Sequence, residues 1–262
     1  MKDKITLTLD KVSKSFAKID TDEVTHALND VSVSMTSGEF VSLVGPSGCG
    51  KSTILRLVAG LIKPTIGTVK VDGKEIEKPA PDRGMVFQSS TLFPWLTVED
   101  NIAFSLKMQG KLEGNADKVD EMLQIIGLEE FRDDYPGQLS GGMAQRVALA
   151  RSLISEPDIL LLDEPLGALD AFTRMNMQDE ILKIWERRHQ LAIMVTHDVD
   201  EAIYMGTRVL VMDAGPGRIV ADIKIKEDYP RDRSSDAFFA YRNEILRKLH
   251  FSGGGIETES IA

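Results

Sequence analysis

Cysteine is nearly missing from the 262 residues. Cys49 stands alone, so no disulfide can close within the chain and nothing points to an oxidising compartment. Long apolar runs are missing too. The longest candidate, Ile159-Leu160-Leu161-Leu162, is cut off by Asp163-Glu164, far short of the roughly 18 apolar residues of a membrane helix. The stretch Met1 to Leu7 is charged and then alternating, without the apolar core of a signal peptide. Basic residues are the minority charge, 31 Lys and Arg against 41 Asp and Glu, for a net charge of -10. That balance argues against a nucleic-acid binder, which needs a Lys/Arg-rich face. Any phosphate must be held locally, by backbone amides and a few cations. No internal repeat or low-complexity tract is present, and 42% hydrophobic residues suffice for a core. The expectation is a soluble cytoplasmic protein.

Periodicity divides the chain. Ile5–Asp10 and Leu28–Met35 alternate as half-buried strands do, and Phe40–Val44 runs straight into a glycine-rich stretch. A helix is expected over Lys51–Ala59, ending at Gly60, with strands at Thr68–Val71 and Gly84–Phe87. The middle is helical in pattern: Val98–Met108, Ala116–Ile126, and a stripe of Met143, Val147, Ala150 and Ile154. Strands resume at Ile159–Leu162, Ile193–Thr196 and Val209–Met212, around a helix bearing Met177, Ile181, Ile184 and Trp185. A last helix carries Phe238, Tyr241, Ile245 and Leu249, with a flexible tail expected over 251–262. Alternating strands and helices imply an α/β core with a mostly parallel sheet and ligand at the strands' carboxyl ends. That core spans about 1–89 and 156–250, interrupted by a helical insertion over about 90–155.

Three groups of residues carry chemistry. Gly45-Pro46-Ser47-Gly48-Cys49-Gly50-Lys51-Ser52 fits the pattern G-x-x-x-x-G-K-[ST] between an apolar strand and a helix, with Thr53 next along that helix. Its glycines let successive N–H groups turn inward around phosphates, and the helix N-terminus adds partial positive charge. Lys51 reaches the β- and γ-phosphates, and the Ser52 hydroxyl can ligate Mg²⁺. Cys49, beside Lys51 and a helix start, is expected to have a lowered thiol pKa and to report on the loop chemically. Asp163 and Glu164 end an apolar strand. Asp163 is placed to hold Mg²⁺ and Glu164 to deprotonate the attacking water, and strand alternation is expected to point them apart. Loop and carboxylates together read as a nucleoside triphosphatase. Leu139-Ser140-Gly141-Gly142-Met143-Ala144-Gln145 supplies a second glycine-bearing helix start, hence a second anion site for a single nucleotide.

That last stretch resembles the signature of ATP-binding cassette (ABC) proteins. Gln88 after Val86-Phe87, Asp170 in Ala168-Leu169-Asp170, and His197 after Thr196 stand where the family has its Q-loop, D-loop and switch histidine. The resemblance covers about Leu7 to Leu249. It implies the ABC ATPase fold: a RecA-like P-loop NTPase core, an antiparallel β subdomain and an inserted α-helical subdomain. It also implies ATP and Mg²⁺ as ligands. Gln88 would contact metal and water, His197 the γ-phosphate, and Phe16 would stack under adenine. Ser140, Gly141 and Gly142 would act on the nucleotide of a second cassette, identical or a paralogue, with Asp170 crossing between the two. Met143 departs from the signature's usual glutamine without touching the Ser140-Gly141-Gly142 contact.

Phe93-Pro94-Trp95-Leu96-Thr97, Pro81-Asp82-Arg83-Gly84, Pro216-Gly217-Arg218-Ile219-Val220 and Tyr229-Pro230-Arg231-Asp232-Arg233 resemble the nitrate/sulfonate/taurine importer group. The implied partners are membrane permease subunits and, indirectly, a solute-binding protein, with the chain peripheral on the inner membrane face. The motor of an exporter or lipid-extraction system is a second reading. A soluble ABC ATPase of translation or DNA repair is a third, against which stand the acidic charge and the single phosphate loop.

Overall fold

Alternation and its interruption explain most of the architecture. The computed structural model describes residues 4–17 and 23–252. The chain runs β1 (Thr6–Ala17), β2 (Val24–Thr36), β3 (Phe40–Val44), α1 (Lys51–Val58), β4 (Ile66–Val71), β5 (Lys74–Glu75) and β6 (Arg83–Val86). It continues through α2 (Val98–Met108), α3 (Ala116–Ile126) and α4 (Gly141–Leu153) to β7 (Ile159–Asp163), α5 (Ala171–Arg188), β8 (Leu191–Val195) and α6 (Val199–Met205). β9 (Arg208–Asp213), β10 (Arg218–Lys224) and α7 (Asp236–Ser252) complete it. The tail expected from 251 lies, past the end of α7, outside the described residues.

One sheet has the order β2-β1-β4-β5 and is antiparallel. The other has the order β10-β9-β3-β8-β7-β6, parallel except for its edge strand β10. β3, β7 and β8 are buried at every residue, as continuous apolar runs in a covered parallel sheet should be. Their side chains alternate between two cores. Phe40, Leu160, Leu162 and Met194 face α4, α5 and the apolar sides of α2 and α3. Val41, Leu43, Leu161 and Ile193 face α1 and the antiparallel sheet. Burying each Leu or Ile contributes about 1.5–3 kcal/mol, so this double-sided sheet holds the phosphate loop on a rigid floor.

Besides the two-residue strand β5, which was not expected, the structure departs from the expected elements in three places. β1 and β2 run beyond Asp10 and upstream of Leu28, because register shifts between Leu9 and Val12 and between Val12 and Lys14 break the alternation that would reveal one long strand. β10 is an edge strand whose burial alternates strictly, but Ile219, Val220 and Ala221 are apolar in succession, so the sequence hides that period. α6 is only seven residues long, too short for a helical stripe. Its start is fixed instead by the Asp198 carboxylate, which accepts from the amides of Asp200 (2.9 Å) and Glu201 (3.1 Å).

Candidate active site

The loop from Gly45 to Gly50 joins the carboxyl end of β3 to α1. Gly48 and Gly50 sit at φ 79 and 89, left-handed values that only glycine adopts without strain. Gly50 is the N-cap of α1 and has no side chain, so no cap consumes the first-turn N–H groups and they remain directed at a ligand. Lys51 is buried, and its Nζ donates to the carbonyls of Gly45 (2.8 Å) and Pro46 (2.9 Å). These contacts hold an ammonium under the loop in a position from which phosphate oxygens can recruit it. Ser52 Oγ donates to Asp163 Oδ1 at 2.8 Å. Burial pushes the Asp163 carboxyl up, while the Ser52 hydrogen bond, Arg56 and Lys51 oppose that rise.

Glu164 is separated from Asp163 by a different device than strand alternation. β7 ends at Asp163, and Glu164 has φ 47, its amide donating to the Val195 carbonyl at 2.9 Å. A left-handed turn of a non-glycine residue costs energy, and here it turns the Glu164 side chain away from that of Asp163. The Glu164 Oε2 accepts from Gln88 Nε2 at 3.0 Å and lies 3.5 Å from His197 Nδ1. These three side chains, Lys51, Ser52, Thr53 and the loop glycines Gly45, Gly48 and Gly50 enclose a cavity of about 440 Å³, with Ser47 and Ala27 on its wall. One end is a phosphate cradle and the other a carboxylate flanked by an amide and an imidazole. A water between Glu164 and a terminal phosphate would have a base on one side and an electrophile on the other. Ser52 and Asp163 are hard oxygen donors of the kind that hold Mg²⁺ together with phosphates and waters, and such a site needs no cluster of protein ligands.

Other expected residues stand outside this cavity. Pro46 and Cys49 do not line it. Cys49 is fully buried in the core beneath the loop, with Lys51 Nζ 3.7 Å from its sulfur. Burial raises its thiol pKa, and the Lys51 charge opposes this only in part. The expected acidic, reactive thiol is therefore corrected: only the Cys49 backbone belongs to the loop. A water-soluble disulfide reagent at neutral pH is expected to leave Cys49 untouched in the folded chain and to label it fully in denaturant. Stoichiometric labelling of the native protein, read by mass spectrometry, would contradict the burial.

Phe16 is 39% exposed on β1, with Lys14 Nζ 5.0 Å from its ring centroid, and it is absent from the cavity wall. It pairs with Thr25 on β2, two residues from Ala27, the residue by which that strand does reach the cavity. Ser140, Gly141 and Gly142 begin α4. The Ser140 hydroxyl caps its own helix, accepting from the Met143 amide at 3.2 Å, and a Cβ at Gly141 would meet open space. Asp170 is the N-cap of α5, accepting from the Thr173 amide at 3.0 Å. None of Ser140, Gly141, Gly142 and Asp170 lines the cavity of its own chain. Ala27 and the buried Gln145, whose amide donates to the Phe87 carbonyl next to Gln88 at 3.3 Å, escaped the sequence reading. Gln145 closes the stretch Leu139–Gln145, and its position one helical turn past Gly141 was the available signal.

The loop after β3, the carboxylates at the end of β7, two strands away in the sheet, and the parallel sheet beneath them define a phosphate-loop nucleoside triphosphatase. A family model described as "ABC transporter" matches residues 28–167. An aliphatic sulfonates import ATP-binding protein, SsuB, of Bacillus cereus is 46% identical over 254 residues, covering 97% of this chain and 99% of that protein. An uncharacterized ABC transporter ATP-binding protein of Methanocaldococcus jannaschii is 49% identical over 224 residues, 85% of this chain and 84% of that one. Among solved structures, the ATP-binding cassette MJ0796, as a dimer in a post-hydrolysis state bound to ADP and Pi, superimposes with a TM-score of 0.76. It is 33% identical and covers 85% of this chain and all of that one. The chain belongs to the ABC transporter family and has the fold of its ATPase cassettes. Among the described residues, no helix is long and apolar enough to cross a membrane.

Proposed function

We propose that the chain hydrolyses ATP to ADP and phosphate as the motor subunit of an importer, and that aliphatic sulfonates or similar small solutes are the cargo. The observation that carries the chemistry is the single cavity in which Glu164, Gln88 and His197 face the phosphate loop. Loop amides and Lys51 bind the triphosphate. Ser52, Asp163 and Gln88 would hold Mg²⁺, which would neutralise phosphate charge. Glu164 takes the proton of the attacking water, with its carboxylate oriented by Gln88, and His197 contacts the γ-phosphate. Phe16 is the adenine platform. Ser140, Gly141, Gly142 and Asp170 act on the nucleotide of a second cassette, identical or a paralogue. The exposure of Ser140, Gly141 and Asp170 at or beside helix starts, away from their own chain's cavity, supports this, as does the dimeric state of the solved relative.

The partner in the membrane is a permease, which places the chain peripherally on the cytoplasmic face, and a solute-binding protein delivers the cargo. A groove of about 370 Å³ beside α2 and α4 is walled by Phe93, Phe104, Met85 and Arg151. At its rim Trp95 is 70% exposed, its ring 5.6 Å from that of Phe93. A large apolar side chain held out in water next to an apolar groove supports a docked helix of the permease there. Trp95→Ala is expected to lower transport and permease-stimulated ATPase activity about tenfold or more, as loss of an interface anchor does. ATP affinity and melting temperature of the isolated chain should stay at parental values. In the reconstituted complex, an aliphatic sulfonate presented with the binding protein should stimulate hydrolysis. ATPase activity indifferent to every small organic anion would remove the cargo assignment, and stimulation untouched by Trp95→Ala would remove the docking site.

A further inference from the structure

A chain of polar side chains runs from behind His197 into the segment that follows β10. Glu201, in the first turn of α6, is a buried carboxylate with no part in the cavity around the phosphate loop. It accepts from Gln178 Nε2 at 3.1 Å and from the Thr196 hydroxyl, and burial raises its pKa against both of these bonds. Thr196 Oγ1 in turn accepts from the Asp198 amide at 3.0 Å. His197 stands between Thr196 and Asp198, so its backbone is held on both sides. The Gln178 amide is oriented by Arg233, which donates to its Oε1 at 2.6 Å and thereby leaves Nε2 facing Glu201. The Arg233 guanidinium also lies 3.6 Å over the Tyr204 ring, whose hydroxyl donates to Asp179 Oδ1 at 2.5 Å.

Helix α5 carries a second link on the same face, one turn before Gln178. Arg174 donates to the Leu169 carbonyl at 3.0 Å and sits 3.8 Å from the Asp198 carboxylate. One helix face therefore braces both the turn leading to Asp170 and the turn bearing His197. At its centre Thr196, Gln178 and Glu201 are buried and bonded to one another, so a rearrangement there leaves a polar group without its partner in a low-dielectric site.

We propose that Glu201 and Arg233 are positioning residues for His197. Arg233 fixes the Gln178 amide, Gln178 and Thr196 fix the Glu201 carboxylate, and the Thr196–Asp198 turn then aims the imidazole at Glu164. The segment after β10, which touches no part of the cavity, is thereby wired to the hydrolysis site. This rests on the reading of His197 as a member of that site.

The test uses the full-length chain in its permease complex. Arg233→Ala removes the far end of the network without touching the phosphate loop. It is expected to lower kcat about tenfold or more, within the roughly hundredfold that a ~1 Å misplacement near reacting atoms can cost. KM for ATP should change by less than about twofold, since ground-state binding is untouched. Arg233→Lys, which retains a donor for Gln178, should recover part of the loss. In a His197→Ala background, assayed at enzyme concentrations that expose the residual rate, Arg233→Ala should cost nothing further, the signature of residues acting through one another. Amide hydrogen exchange should quicken over residues 198–201 and stay unchanged over 51–53. An unchanged kcat in Arg233→Ala, or an equal loss in both backgrounds, would overturn the proposal while leaving the ATPase reading intact. Parental turnover by His197→Ala would instead remove the reading beneath it, and the proposal with it.

Discussion

Glu164→Gln is expected to abolish ATP hydrolysis while leaving ATP binding intact. The substitution keeps the side chain's volume and an oxygen for Gln88 Nε2, 3.0 Å from the present carboxylate, but it cannot accept a proton from water. Loss of a positioned general base costs about 10²–10⁴-fold in rate, or about 3–5 kcal/mol of barrier. The backbone should not relax, because the φ of 47 is held by the Glu164 amide bond to the Val195 carbonyl and not by the side chain. Removing the negative charge also relieves repulsion with the γ-phosphate. In the shared-site arrangement proposed above, ATP-bound dimers should then accumulate. Gel filtration with ATP and Mg²⁺ should show the variant at twice the monomer mass, and Ser140→Arg in the same chain should abolish the shift. Wild-type turnover by Glu164→Gln would remove the base assignment. A variant that binds ATP yet stays monomeric even with its permease would remove the shared site.

The sequence showed most clearly what local chain geometry decides. α2 and α3 coincide with their expected ranges residue for residue; their pattern placed them, and in the fold the Thr97 side chain caps α2 while Gly127 ends α3 in a left-handed conformation. β3, β7 and β8 were visible as apolar runs for the same reason. The phosphate loop was legible because glycine spacing, Lys51 and the flanking strand and helix all lie within one short stretch. The failures at the site are mostly long-range. Nothing local distinguishes an exposed Cys49 from one buried against the antiparallel sheet. Its neighbours Lys51 and the helix start predict an acidic thiol, and only the packing from distant elements reverses the sign. Likewise Glu201 reads as a helix-face acid until Gln178 and Arg233, 23 and 32 positions away, converge on it or on its partner. The separation of Asp163 from Glu164 had the right outcome for the wrong cause, because a pattern of apolar residues cannot show where a strand stops.

Gly217 belongs to the same group, and its substitution should have a large effect on nucleotide binding. In sequence, Pro216-Gly217-Arg218 was only a point of family resemblance. In the fold, this turn between β9 and β10 is stitched to β2: the Gly217 amide donates to the Ala27 carbonyl at 3.1 Å, and its carbonyl accepts from the Asn29 amide at 2.9 Å. A Cβ at 217 would stand 2.8 Å from the Ala27 oxygen and would run into the Cys49 carbonyl of the phosphate loop. Gly217 is not among the positive-φ glycines, so alanine meets no backbone strain there and the conflict is purely one of space. Both obstacles are main chain and cannot swing aside as a flexible side chain would. Elsewhere the loop is equally confined, with Gly45 against the Met212 carbonyl and Gly50 against the Ala27 carbonyl. Gly217→Ala must therefore shift the loop or open the seam with β2. Overpacking of this kind costs about 1–3 kcal/mol. If the loop absorbs it, ATP binding weakens by about 5- to 150-fold, at 1.4 kcal/mol per decade. Titration with a fluorescent ATP analogue should read that loss, alongside a melting temperature lowered by no more than roughly 12 °C, as 2–4 °C per kcal/mol implies for a chain of this size. Gly137→Ala, where a Cβ would meet only open space, is the matched control and should bind nucleotide as the parent does. Parental affinity in Gly217→Ala would show that the turn yields and that the phosphate loop is held from its other sides alone.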